Sequence, residues 1–157
     1  MYDDLARGYD ELHGREQKSK VDFIKNIVDV RSFDSILDVG CGTTLSFLSE
    51  NAVGVDSSFE MLRRGKGVRF CAKSESLPFK DNSFDLVTCI TSIHNFEDVA
   101  EGIKEIKRVA KKSVVVTILK KSPKAKKIRS LLEKEFEGRF YDQVVDLVFV
   151  GKKNSDN

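Results

Sequence analysis

Ten residues, Ser35-Ile36-Leu37-Asp38-Val39-Gly40-Cys41-Gly42-Thr43-Thr44, restrict the architecture more than any other stretch of the chain. A short apolar run carries one acid and leads directly into a Gly-x-Gly turn. Ile36 to Val39 reads as a buried strand. Gly40 and Gly42 have no Cβ, so the backbone can turn sharply there and approach a ligand closely. The apolar residues that follow read as a short helix over residues 43–49, ended by Asn51, with free N–H groups at its start. Ala52-Val53-Gly54-Val55-Asp56 is a second strand, again closed by an acid. The intervening segment, residues 40–51, is near the minimum length for a parallel crossover.

The rest of the chain repeats the alternation. Residues 1–17 read as an N-terminal helix or arm with a loose repeat, Tyr2-Asp3-Asp4 and Tyr9-Asp10-Glu11. Val21, Ile24, Ile27 and Val28 give residues 18–30 one apolar helix face. Ser57 or Ser58 caps a helix that carries Met61 and Leu62 and stops by Gly65. Strands follow over residues 68–72 and 84–90, separated by a turn-rich loop. A helix over residues 97–111 places Val99, Ile103, Ile106 and Val109 inward, with acids early and Lys and Arg late, as the helix dipole favours. A fifth strand covers residues 114–119. Ser122 and Pro123 read as cap and first position of a helix running to Glu137, with Ala125, Ile128, Leu132 and Phe136 inward. Residues 139–142 and 144–151 close the chain as an antiparallel hairpin, and residues 152–157 read as a frayed tail. Strands alternating with helices imply an α/β fold, a mostly parallel sheet with helices on both faces. Its 157 residues suit a single domain, 1–157.

Composition narrows the function classes. A net charge of +2 does not by itself point to nucleic acid. Three cysteines without a CxxC pair do not make a disulfide framework, so reduced thiols and a cytoplasmic location are expected. No apolar run approaches a membrane helix, and the acidic, polar start is not a signal peptide. Lys120, Lys121, Lys124, Lys126, Lys127 and Arg129 crowd one end of the last helix. A solvated face is the plain reading of this run, and a salt-dependent contact with RNA phosphate is the alternative.

In a parallel α/β sheet, ligands sit at the carboxyl ends of the strands. That edge gathers Asp38, Asp56 and the loops after residues 72 and 90. A dinucleotide needs a third glycine at position 45, where this chain has Leu45. Asp38 also stands where it would repel a pyrophosphate, whereas it suits an ammonium group. Asp56 is placed to grip ribose hydroxyls. The pair fits an adenosine that carries an amine and no phosphate, which is S-adenosylmethionine.

The motifs agree. Ile36-Leu37-Asp38-Val39-Gly40-Cys41-Gly42-Thr43 resembles motif I of class I S-adenosylmethionine-dependent methyltransferases, and Val53-Gly54-Val55-Asp56 resembles their motif II. The segment from Ser74 to Val87, Ser-Glu-Ser-Leu-Pro-Phe-Lys-Asp-Asn-Ser-Phe-Asp-Leu-Val, is similar to the adenine loop and fourth strand of the ubiquinone and menaquinone biosynthesis subgroup. Ile93-His94-Asn95-Phe96-Glu97-Asp98 and the Tyr2–Asp10 arm also look like that subgroup. The resemblance implies a Rossmann-like sheet of seven strands, mostly parallel, with the last strand antiparallel between strands five and six.

It also implies roles. Gly40 and Gly42 would pass the methionine part, with Asp38 near its amine through water. Asp56 would bind the ribose diol. Met61 or Ser57 would lie by the adenine, and Ser74 and Glu75 along its edge. Ile90 and Thr91 would lie near the sulfonium methyl, and Tyr9 would close over the methionine end. His94 would face the acceptor as the catalytic residue. Metal and covalent intermediates are not required, because the cofactor carries the activated group.

Four departures stand out: Thr44 where glycine is common, Lys73 where an acid commonly meets the adenine amine, Asn95 beside His94 in place of a second histidine, and a short helix after motif I. Cys89 lies in mid-strand without a flanking proline, unlike the nucleophile of RNA cytosine methyltransferases. The sequence after strand four, Cys89-Ile90-Thr91-Ser92, lacks the Asp-Pro-Pro-Tyr-like loop used on amide and adenine amino groups. The acceptor site is expected from the arm, residues 91–96 and residues 120–124. One alternative is a protein partner or a second copy of the chain covering an exposed sheet edge, the chain being the catalytic subunit of a two-protein complex on RNA or a translation protein; another is an S-adenosylmethionine-binding module without catalysis.

Overall fold

The computed structural model describes residues 2–154, with side chains described from Leu12 onward. Seven strands form one sheet: β1 (Ile36–Val39), β2 (Val53–Asp56), β3 (Val68–Cys71), β4 (Phe84–Cys89), β5 (Ala110–Leu119), β6 (Glu137–Asp142) and β7 (Asp146–Lys152). Their order is β3-β2-β1-β4-β5-β7-β6. The first five pair in parallel, and β7 runs antiparallel between β5 and β6. This is the expected sheet, and the order reverses between β1 and β4. That switch point is where a parallel sheet opens a crevice.

The helices are α1 (Tyr2–Ile27), α2 (Phe59–Arg63), α3 (Val99–Val109) and α4 (Ala125–Glu135). Two cores flank the sheet. On one face Val21 and Ile24 of α1, with Val28 just after it, pack on Ile36, Leu86, Ile90, Val115 and Val148. On the other, Ile103 and Ile106 of α3 and Ile128 and Leu132 of α4 pack on Leu37, Val87, Val116 and Phe149. Each such aliphatic side chain, fully buried, contributes about 1.5–3 kcal/mol. Strand alternation sorts β1 between them: Leu37 and Val39 serve the α3–α4 core, while Ile36 faces α1 and puts Asp38 on its own side.

Several boundaries differ from the sequence reading. The expected arm (residues 1–17) and the following helix are one continuous helix, α1, although Gly14 lies inside it. The side chain of Tyr9 lies outside the described residues. The expected helix over residues 43–49 is absent. A chain of turns stands there, with the Thr44 N–H on the Cys41 carbonyl at 2.8 Å and the Ala52 N–H on Ser49 at 3.2 Å. Thr44 adopts φ +66°, which breaks any helix. Ser46, a poor helix former, spends its hydroxyl on Asp38.

Three further boundaries move. β5 begins at Ala110, directly after α3, instead of residue 114. α4 begins at Ala125, and Ser122 closes the preceding turn by accepting the Lys124 N–H at 3.2 Å. Residues 152 and 153 are not frayed: the Lys153 N–H reaches the Lys112 carbonyl at 2.9 Å, and its Nζ reaches Asn82 Oδ1 at 2.9 Å.

Candidate functional site

The turn after β1 is held against β2. The N–H groups of Gly40 and Cys41 both donate to the Val55 carbonyl, at 2.8 and 3.1 Å. Gly40 has φ +73°, and a Cβ there would fall 2.3 Å from Ser92 Oγ. Ser92 in turn donates to the Val39 carbonyl at 3.1 Å. The loops after β1 and β4 therefore abut, and only glycine fits between them.

Asp56 organises the mouth of this turn. Its Oδ2 accepts the Gly42 N–H at 2.9 Å and its Oδ1 accepts the Ser58 N–H at 2.8 Å. Ser58 Oγ caps α2 by accepting the Met61 N–H at 3.2 Å, which brings Met61 beside Gly42. Each oxygen of Asp56 keeps a lone pair for a further donor.

Asp38 is placed differently. It is 1 % exposed, and its two oxygens accept the hydroxyls of Ser46 at 2.5 Å and Thr88 at 2.8 Å. Burial pushes its pKa up to about 7 against the pull of those two hydroxyls, with Asp56 adding to the rise. Asp38 braces the floor of the turn and does not reach the cavity above it.

Two adjoining cavities run along the carboxyl ends of the strands. One, of about 300 Å³, is lined by Ser57, Met61, Lys73, Ser74 and Glu75. The other, of about 600 Å³, is lined by the turn from Gly40 to Thr43, by Ile90 and Thr91, and by His13 and Gln17 of α1. Gly40, Asp56, Met61, Ser92 and Asn95 line both, so the two are halves of one groove. Of the residues expected at a cofactor, Gly40, Gly42, Asp56, Ser57, Met61, Ser74, Glu75, Ile90 and Thr91 all lie on it. Asp38 lies below it. His94 lines neither half.

His94 sits in a turn, Ile93–Asn95, over the end of β5. Its Nδ1 is buried and makes no hydrogen bond among the described residues. Its pKa is lowered by burial and by Lys20 and Lys124, against the opposing pull of Asp146. The nearby node is Thr91, at φ +59°. Its N–H donates to Thr117 Oγ1 at 2.7 Å, its hydroxyl donates to Gln17 Oε1 at 3.0 Å, and it accepts from Lys20 Nζ at 2.9 Å. Lys20 also pairs with the buried Asp146 at 3.0 Å. Two elements, α1 and β5, thus hold a β-branched residue in a left-handed conformation beside the cavity, a strain of about 1–3 kcal/mol.

Gln17, Lys20 and Asp146 escaped the sequence reading; they come from α1 and β7, and no local motif marks them, whereas Ser92 and Asn95 lie in the loop over residues 91–96 expected at the acceptor. His13 of α1 also lines the cavity. Lys73 lines the smaller half with an exposed ion pair to Glu97 at 3.9 Å, so the departure at this position is real in space.

In the basic run, Lys120 pairs with Asp142, Lys124 Nζ donates to the Phe96 carbonyl at 3.1 Å, and Arg129 pairs with Glu133 at 3.1 Å while lying over Phe140. Lys121, Lys126 and Lys127 face solvent. Cys89 is buried, and burial pushes its thiol up to about 12, so it is no nucleophile. Among the described residues no helix is long and apolar enough to cross a membrane, and no cluster of His, Cys, Asp and Glu could hold a metal ion.

The sequence profile of a methyltransferase domain matches residues 37–118, from β1 to the end of β5. An uncharacterised protein of Methanocaldococcus jannaschii is 35% identical over 118 residues, which are 70% of this chain and 46% of that protein. The chain thus spans about half the length of that relative. A demethylmenaquinone methyltransferase of Corynebacterium glutamicum is 28% identical across 94% of this chain and 70% of its own. The solved structure of a S-adenosylmethionine-dependent methyltransferase of Thermotoga maritima has the same fold, with a TM-score of 0.75 over 98% of both chains at 19% identity. Because the profile takes in the glycine turn, the strand ending in Asp56 and every parallel strand that carries the groove, the chain belongs to the methyltransferase domain family, the S-adenosylmethionine-dependent methyltransferases.

Proposed function

We propose that the chain, acting as one domain over residues 1–157, transfers the methyl group of S-adenosylmethionine to an acceptor. The observation that carries this reading is the Asp56 carboxylate, fixed at the junction of the two half-cavities with a lone pair free on each oxygen. The residues fit the cofactor. Gly40 lines both halves without a side chain. Ser57, Met61, Ser74 and Glu75 surround the smaller half as an adenine site, Asp56 takes the ribose diol, and the glycine turn faces the methionine part. Asp38 supports that turn from below, and Tyr9 closes over the methionine end.

S-adenosylmethionine supplies a methyl group on a sulfonium, the electrophile for in-line displacement by the acceptor. The protein's task is to orient the acceptor and exclude water. Thr91 and Ile90 flank that end of the groove, and α1 covers it through Gln17 and His13. His94, which lines neither half-cavity and whose pKa is lowered by burial, is the proton acceptor for a substrate that reaches past Asn95. A small acceptor of the quinone or amine kind enters between α1 and residues 91–96 and 120–124, in the cytoplasm. Calorimetry with S-adenosylhomocysteine tests the cofactor, and radiolabelled methyl transfer into fractionated cell extract tests the acceptor class. Absence of binding at about 100 µM, roughly −5 to −6 kcal/mol, would sink the reading. Tight binding without label in any fraction would leave a binding module.

A second reading, catalysis with a protein partner, is favoured by β3. It is an edge strand, and Val68 (57 % exposed) and Phe70 (43 %) stand exposed on one face of it. An added strand from a partner, or from a second copy in a homodimer, would cover it. The partner reading extends to RNA through Lys121, Lys126 and Lys127. A well-behaved, active monomer in size-exclusion chromatography would count against it.

A further inference from the structure

The methionine tail of the cofactor ends in an ammonium and a carboxylate, and the carboxylate needs a cation. The larger half of the groove supplies few ionisable side chains: His13, Cys41, Asp56 and Arg64. Arg64 carries the one permanent positive charge among these described lining residues. It makes no ion pair or side-chain hydrogen bond with any described residue.

Its position is set by the backbone. Arg64 ends α2, with its N–H on the Met61 carbonyl at 3.1 Å. The next residue, Gly65, packs so tightly on the turn after β1 that a Cβ would lie 2.9 Å from Thr44 Cγ2 and 3.1 Å from the Thr43 carbonyl carbon. The Lys66 N–H then donates to Thr44 Oγ1 at 2.9 Å. Thr44 is one of the sequence's departures, and its left-handed conformation replaces the helix expected there with turns. The connection from α2 to β3 docks on those turns and brings Arg64 to the wall formed by Gly42 and Thr43.

We infer that Arg64 receives the carboxylate of the cofactor's methionine tail, an inference that rests on the cofactor reading above. A guanidinium is charged at every working pH and presents a planar fork that matches a carboxylate. Asp56 lines the same cavity as Arg64, so the groove offers an anion for the sugar and a cation for the tail.

Two nucleosides separate the tail from the rest of the ligand. S-adenosylhomocysteine carries the amino-acid tail, while 5′-methylthioadenosine has the adenosine and thioether without it. In calorimetry on the full chain, Arg64→Met weakens S-adenosylhomocysteine about 10-fold and leaves methylthioadenosine within about two-fold of wild type, and Arg64→Lys recovers part of the loss. Unchanged affinity for S-adenosylhomocysteine in Arg64→Met overturns the inference. So does an equal loss for both nucleosides, which marks a distorted cavity and not a lost tail contact. If the wild-type chain binds neither nucleoside, the cofactor reading itself falls and Arg64 falls with it.

Discussion

The carboxylate of Asp56, at the end of β2, accepts the backbone N–H of Gly42 at 2.9 Å and so ties the second strand to the turn that follows the first. One residue both shapes the glycine turn and faces the junction of the groove. Asp56→Ala is expected to lose more than about 10-fold in affinity for S-adenosylhomocysteine by calorimetry. It also leaves the N–H groups of Gly42 and Ser58 without this partner, at a cost of about 1–2 kcal/mol of stability in urea unfolding.

Gly40 answers to a different constraint. With φ +73° and a Cβ clash at 2.3 Å from Ser92 Oγ, Gly40→Ala is strained in both backbone and contact. It should destabilise the fold by about 1–3 kcal/mol in urea unfolding and weaken nucleoside binding. Adding Ser92→Gly removes the clash but not the left-handed strain, so the double variant recovers only part of the loss.

Asp38 makes stability depend on pH in an uncommon direction for an acid. Its folded pKa, about 7, lies above its value of 3.8 outside the fold. Between these values the folded state holds a proton that the unfolded state has released. Its contribution is therefore fully present below the unfolded pKa and is lost as pH rises from about 4 to about 7. Asp38→Asn carries no such titration. Across that window the wild type should lose about 2–4 kcal/mol relative to Asp38→Asn, read from urea midpoints at each pH. A flat difference would show that Asp38 titrates as an ordinary carboxylate.

His94 is displaced below the ordinary histidine value by burial and by two lysines. Lys20→Met removes one of those charges and releases Asp146 from its ion pair, and both changes favour the imidazolium. The His94 titration followed by NMR, assigned with His94→Gln, should move to higher pH in Lys20→Met. Methyl transfer in the wild type should rise through an apparent pKa below 6.5 and hold a plateau at neutral pH.

Much of this was legible along the chain because it is local. Period-two and helical apolar patterns placed all seven strands, and the inward faces of α3 and α4 were read residue by residue. The cofactor edge was legible because a parallel sheet gathers its strand ends. The misses share a cause. Residues 43–49 have helical spacing of Leu45 and Leu48, but Ser46 turns to Asp38 and Thr44 turns to Lys66, and these contacts outweigh a helix too short to nucleate by itself. Ala110 and Lys111 looked helical because Lys and Ala suit helices, yet pairing with β4 draws Ala110 into the sheet.

The sequence by itself determined the order of elements, the glycine turn, the two acids and the family they signal, since each depends on neighbours within a few residues. Only the tertiary structure decided what each acid does. Asp38 and Asp56 share one face of the sheet, but Asp38 lies beside Gly54, one residue inside the end of β1, where Ser46 and Thr88 bury it, while Asp56 stands two residues farther along at the groove. Packing likewise brought in Gln17 and Lys20 from α1, Arg64 from the end of α2 and Asp146 from β7. Those residues are far apart in the chain, and only burial of the two cores brings them to one sheet edge.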